Sequence, residues 1–164
     1  MYKELETNRL LIRPITLQDK EFILTLVNTQ GWLKFIGNRN IKNSSEAEKY
    51  IQTIIENKNF YYNVFEIKET KYPIGMITFL NRGNQKFPDI GFALLPQYEK
   101  KGYTYEAGRR YLDEIITQKI CTKVLGITMP ENVNSIKLLE RLGLVFQHNF
   151  SADNETLALY SITI

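Results

Sequence analysis

An apolar strand that breaks at a proline, turns through a glycine and enters a helix at once constrains this chain more than any other feature. Residues 90–107 read IGFALLPQYEKKGYTYEA. IGFALL has no charged side chain, which predicts a strand at the centre of a sheet, buried on both faces. Pro96 closes it. From 103 to 118, Gly108, Tyr111, Leu112, Ile115 and Ile116 return on one helical face. The first N–H groups of such a helix lack intrahelical partners and sit at the positive end of its dipole. With Lys100 and Lys101 beside them, the backbone of residues 99–104 has the layout of a phosphate cradle. A plain strand-to-helix turn with two solvated lysines is the other reading. Neither GxxxxGK[ST] nor GxGxxG occurs, so the stretch is not a P-loop or a dinucleotide fingerprint.

The flanking segments fix the fold class. RLLIRP (9–14) predicts a strand ended by proline, and Thr16 with Asp19 a capping box before a helix carrying Phe22, Ile23 and Leu26. Ser45 with Glu48 marks a second box, ahead of a face of Ala47, Tyr50, Ile51 and Ile54. FYYNVFEIK (60–68) and YPIGMITFL (72–80) form a hairpin across a short polar turn. KVLGITM (123–129) is a strand. Asn132 to Leu142 is a helix, with Gly143 at its C-cap. Two last strands fall at about 144–150 and 156–163. The order β-α-α-β-β-β-α-β-α-β-β predicts an α/β fold, a mixed and mostly antiparallel sheet of 6–7 strands with helices on both faces. No linker or repeat interrupts it, so residues 1–164 read as one domain.

Charge and cysteine content exclude several functions. The 21 Lys+Arg against 18 Asp+Glu give +3, with no run of five like charges, which argues against a nucleic-acid partner. One cysteine, Cys121, and one histidine, His148, leave no disulfide and no Cys/His zinc site, and no metal is expected. MYKELETNRLLIRP lacks a signal-type apolar core, and no stretch approaches a membrane span. A cytoplasmic protein, monomer or homodimer, is the expectation.

Residues 99–104, Glu-Lys-Lys-Gly-Tyr-Thr, resemble the acetyl-CoA motif of the GNAT superfamily of acetyltransferases, Gln/Arg-x-x-Gly-x-Gly/Ala. KKGYTYEA (100–107) is similar to the GKGYATEA common among the ribosomal-protein N-terminal alanine/serine acetyltransferases. LETNRLLIRPITLQD (5–19) looks like the opening strand of that subfamily. ENVNSIKLLERLGL (131–144) is similar to its Asn-x-x-Ser motif and helix end. The three stretches stand in the expected order along nearly the whole chain. Three positions depart from the pattern. Glu99 replaces Gln or Arg, Lys100 replaces a glycine, and Thr104 replaces Gly or Ala. If position 100 needs a positive φ, lysine there costs about 1 kcal/mol.

The resemblance implies a three-layer fold whose central strand splays from its neighbour. It implies acetyl-CoA as co-substrate, with the pantetheine added to the exposed strand edge. Phe92, Ala93 and Leu94 would bind the pantetheine. Glu99, Lys100, Lys101, Gly102, Tyr103 and Thr104 would hold the pyrophosphate. Asn132 and Ser135 would lie near the sulfur. The implied reaction transfers an acetyl group to a primary amine, either a protein N-terminus or a small molecule. The alternative is a CoA-binding module without turnover. Asp89 is the candidate base, acting through water, or else a loop aspartate closing the turn after Pro88. Ser135 and Asn132 are the candidates for protonating the leaving thiolate, and Asn132 also suits a simple helix cap. Tyr160 and His148 are weaker candidates. Trp32 and Phe35 wall the acceptor pocket or belong to the core.

Overall fold

A single eight-stranded sheet, in the order β1-β2-β3-β4-β5-β6-β8-β7, carries the molecule. The computed structural model describes residues 3–164; residues 1 and 2 of the expected domain lie outside the described residues. The strands are β1 (Leu5–Glu6), β2 (Leu10–Pro14), β3 (Phe60–Ile67), β4 (Tyr72–Leu80), β5 (Asp89–Leu94), β6 (Lys123–Thr128), β7 (Val145–Ala152) and β8 (Glu155–Thr163). All neighbours are antiparallel except β5 and β6. The helices are α1 (Lys20–Val27), α2 (Gln30–Phe35), α3 (Ser44–Glu56), α4 (Tyr103–Thr117) and α5 (Val133–Arg141).

Strand alternation sends side chains into two cores. Phe65, Ile77 and Ile90 meet Ala107, Tyr111 and Leu112 of α4 and Leu139 of α5 on one face. Val64 and Met76 meet Ile23 and Leu26 of α1, Trp32 of α2 and Ile51 of α3 on the other. The expected three layers are present. Among the described residues, no helix is long and apolar enough to cross a membrane.

Several boundaries differ from expectation. The eighth strand, β1, has two residues, too few to leave an alternating pattern. The short α2 was not expected, and it holds both Trp32 and Phe35. Asn43 caps α3, not Ser45: its Oδ1 accepts from the Glu46 N–H at 3.0 Å, and Glu46 Oε2 accepts from the Lys42 N–H at 2.6 Å. The cap before α1 does form, with Asp19 Oδ2 accepting from the Thr16 N–H at 2.8 Å. Ile116 is 36% exposed, beyond the buried stripe of α4. β5 is central, yet only Asp89 and Ile90 within it are fully buried, and the rest is half-buried. The reason lies in how β5 leaves its neighbour.

Candidate active site

β5 pairs with β4 along its whole length, from Leu80↔Asp89 to Gly75↔Leu94. With β6 it pairs only at Asp89↔Leu125, reinforced by the Leu125 N–H to Pro88 O bond of 2.9 Å. Both strands run in the same direction from that point and part. β6 is meanwhile fully paired with β8. A wedge thus opens between two facing strand edges, closed at Asp89 and wide at Leu94.

Strand geometry decides which groups face the wedge. The Leu95 N–H bonds Ile74 O at 2.9 Å, so Leu95, Ala93 and Gly91 turn their backbone groups toward β4. Phe92 and Leu94 turn theirs the other way, toward the wedge. Ala93 therefore has no backbone group to offer there. The Phe92 ring is kept in place by a missing side chain. A Cβ on Gly108 of α4 would come 2.9 Å from Phe92 Cε1 and 3.2 Å from Leu142 Cδ1.

At the wide end, the chain makes a 3₁₀ turn (Pro96–Tyr98) and enters α4 through Gly102, whose φ is +79°. Lys100 is also left-handed, at φ +60°. The backbone takes the shape that a glycine would adopt freely, and lysine accepts its strain. Glu99, Lys100, Lys101 and Gly102 are exposed, and Tyr103 and Thr104 half-buried. The first bond into the helix is Glu106 N–H to Gly102 O, so the N–H groups of Tyr103, Thr104 and Tyr105 face outward unmatched.

Arg9, expected only as the first residue of a strand, fastens this loop from β2's side. Its Nη1 donates to Lys101 O at 3.1 Å, and its guanidinium lies 4.3 Å from the Tyr103 ring centroid. Its Nε and Nη2 reach Glu106 Oε2 at 2.7 and 2.6 Å. Burial would lift the Glu106 carboxyl, but bonds from the Thr7 hydroxyl and from Arg9 outweigh it and hold the group below its ordinary value. No local pattern could reveal the Arg9–Glu106 pair, since 97 residues separate its members.

Across the mouth, β6 runs out at Thr128 and α5 begins. Asn132 caps it, Oδ1 accepting from the Ser135 N–H at 3.2 Å. Both side chains are half-buried. The N-termini of α4 and α5 are thus the next α-helix starts after the two diverging strands, across short loops.

Asp89 sits at the closed end, 4% exposed, its Oδ1 2.6 Å from Arg82 Nε. Burial raises its pKa, and Arg82 opposes the rise. The pair ties β5 to the loop after β4. The remaining candidates lie elsewhere. Tyr160 is 5% exposed in the α4–α5 core, its ring edge-on to Phe146. His148 is exposed on β7, beside Phe150. Trp32 is 4% exposed in the α1–α3 core, its Nε1 donating to Gly37 O at 3.0 Å. Cys121, its thiol pKa pushed up by burial, lines a cavity of about 240 Å³ with Tyr61, Phe79 and Pro88.

Residues 9–145 match the family described as an acetyltransferase (GNAT) domain. The chain belongs to the GNAT acetyltransferase family. It is 25% identical over 148 residues to the uncharacterized N-acetyltransferase YoaA of Bacillus subtilis (strain 168), covering 87% of this chain and 83% of that one. Its fold matches ribosomal-protein-S5-alanine acetyltransferase from Vibrio fischeri with a TM-score of 0.83, at 19% identity over 98% of this chain and 96% of that chain. It matches the microcin C7 self-immunity acetyltransferase MccE, solved with acetyl-CoA and AMP, at 0.83, with 17% identity over 96% and 94%. As a GNAT N-acetyltransferase, the chain is an enzyme of a family that uses acetyl-CoA.

Proposed function

We propose that this chain transfers an acetyl group from acetyl-CoA to a primary amine, an N-terminal α-amine or a small-molecule amine, by direct attack on the thioester. The observation that carries this is the unpaired edge of β5, which leads straight into a helix N-terminus with unmatched N–H groups. An extended amide arm fits the first feature, and a pyrophosphate fits the second. Acetyl-CoA, when bound, supplies the activated acetyl group.

The chain's residues do the rest. The N–H and C=O of Phe92 and Leu94 hold the arm as a strand neighbour would. One of those N–H groups donates to the carbonyl oxygen on which negative charge develops, a fixed dipole that needs no reorganisation. The backbone from Glu99 to Thr104, with Lys100 and Lys101, neutralises the phosphates, while exposed Glu99 turns its charge to water. Holding both reactants in one wedge supplies proximity. An α-amine, with a pKa of about 7.7–8.0, needs little help to become neutral. Asp89 takes its proton through water, and the Ser135 hydroxyl, positioned by the Asn132 cap, returns one to the thiolate.

Thermal unfolding with and without acetyl-CoA tests this first. At 100 times its Kd, acetyl-CoA adds about 2.7 kcal/mol and raises Tm by roughly 5–10 °C for a chain of this size. ATP at the same concentration leaves Tm unmoved. A shift without turnover on any amine would favour a CoA-binding module. No shift at millimolar acetyl-CoA would sink the enzyme reading.

A further inference from the structure

The face of the sheet that packs against α1–α3 has the chemistry to choose an acceptor. Tyr62 on β3 stands beside Thr78 on β4, which stands beside Gly91 on β5. By strand alternation these residues share a face with Val64, Met76 and Ala93, which pack in the α1–α3 cluster. Tyr62 donates its hydroxyl hydrogen to Tyr50 of α3, which helps to hold it neutral. Two guanidiniums stand within electrostatic reach of the Tyr62 phenol, Arg39 from the α2–α3 loop and Arg82 from the β4–β5 loop. Arg39 is aligned by the carbonyls of Ile36 and Gly37, at 3.4 and 3.3 Å from its Nη1, and by the Trp32 ring. Arg82 engages Asp89 through Nε alone. Its Nη1 and Nη2 have no partner among the described residues.

The charge pattern of the two loops points the same way. Residues 22–45 contain Lys34, Arg39 and Lys42 and no acidic residue, and residues 81–88 contain Arg82 and Lys86 and none. Among the described residues, Lys34, Arg39, Lys42 and Lys86 form no ion pair. The acids bordering these loops are already engaged, Glu21 by the Ser44 hydroxyl, Glu46 by the Lys42 N–H and Asp89 by Arg82.

We propose that the acceptor is an amine bearing a carboxylate close to its nitrogen, held by Arg39 and Arg82 with the Tyr50 hydroxyl as a neutral donor. Guanidinium pairs a carboxylate through two parallel N–H bonds, which fixes the acceptor's orientation as well as its charge. A cationic polyamine is repelled by the same groups. This inference rests on the acetyl-transfer reading above and narrows it to a substrate class.

Thiol release with acetyl-CoA tests it on matched acceptors. Free aspartate is set against asparagine, a Ser-Glu-Glu N-terminal peptide against its Ser-Gln-Gln twin, and spermidine serves as the cation. The two pairs separate small acidic amines from acidic N-termini. The expected result is an acid-to-amide ratio of kcat/KM of about tenfold or more in at least one pair, with spermidine the poorest. In Arg39→Gln that ratio falls toward one, and Arg39→Lys restores part of it. The melting shift with acetyl-CoA shows whether each variant is folded. Preference for the amide twins or for spermidine, or a ratio unmoved by Arg39→Gln, overturns the inference. So does a clear acetyl-CoA shift with no acidic acceptor turned over, and the cofactor reading then stands. If acetyl-CoA gives no shift, the proposed function itself falls.

Discussion

Arg13 holds two buried carboxylates in place with one guanidinium. Its Nη1 and Nη2 reach Asp19 at 2.9 and 2.8 Å, and its Nε reaches Glu66 at 2.8 Å. Asp19 is 4% and Glu66 8% exposed. Hydrogen bonding to Asp19, more than burial opposes it, holds the guanidinium charged at every accessible pH. Arg13→Met leaves two unpaired buried anions and should cost about 3–5 kcal/mol, read as a Tm loss of roughly 10 °C. Glu106 makes the pH case. Its pKa lies below the usual 4.5 in the folded chain, so it binds fewer protons folded than unfolded. Its contribution is present above that ordinary value and disappears as the pH falls through the folded one. Glu106→Gln should therefore be less stable than wild type at pH 7, with the gap closing in acid. Urea midpoints between pH 7 and pH 3 would show it, and a gap constant across that range would contradict it.

At the scale of elements, Gly108 is where α4, α5 and β5 touch. A Cβ there meets the Phe92 ring at 2.9 Å and Leu142 at 3.2 Å, and neither can retreat without opening the packing. Gly108→Ala should cost about 1–3 kcal/mol and also shrink the acetyl-CoA melting shift, because Phe92 carries backbone groups at the wedge. An unchanged shift would separate packing from binding. This joint also shows what a sequence can and cannot convey. The α4 stripe apart from Ile116, the β3–β4 hairpin and the Asn132 cap follow from local periodicity and side-chain chemistry, and they stand as expected. The α3 cap moved from Ser45 to Asn43 because several adjacent residues offer equivalent oxygens, and tertiary packing selects among them. β1 has too few residues to show a period. The half-burial of β5 reflects a missing neighbour, which depends on β6 and not on IGFALL. The turn of residues 99–104 through Gly102 into α4 was legible from its own residues, and its assignment to a phosphate remains the proposal made above, but its brace, Arg9 with Glu106, exists only once distant segments meet.

At the scale of the whole molecule, the sheet consists of two paired halves joined at one bridge. β1 through β5 form one ladder, and β6, β8 and β7 the other, joined at Asp89↔Leu125. Backbone groups away from water rarely go without partners, and here those of half-buried Phe92 and Leu94 have no strand neighbour on the wedge side. An open edge invites a strand-like partner, and α4 and α5 stand at the mouth with the dipoles to hold a charged end. In the free protein the Ala93 N–H is bonded to β4 and should exchange slowly, whereas the N–H groups of Phe92 and Leu94 face the wedge and should exchange fast. Acetyl-CoA at 100 times its Kd should slow Phe92 and Leu94 by about a hundredfold if they bond the pantetheine, since exchange then waits for dissociation. Ala93 should change little. Hydrogen exchange read residue by residue checks this directly. Protection of Ala93 in place of its neighbours would mean that β5 slips its register against β4. Protection confined to residues 99–104 would mean that the phosphate end binds without the arm, in which case acetyl transfer would have to be assigned to another edge.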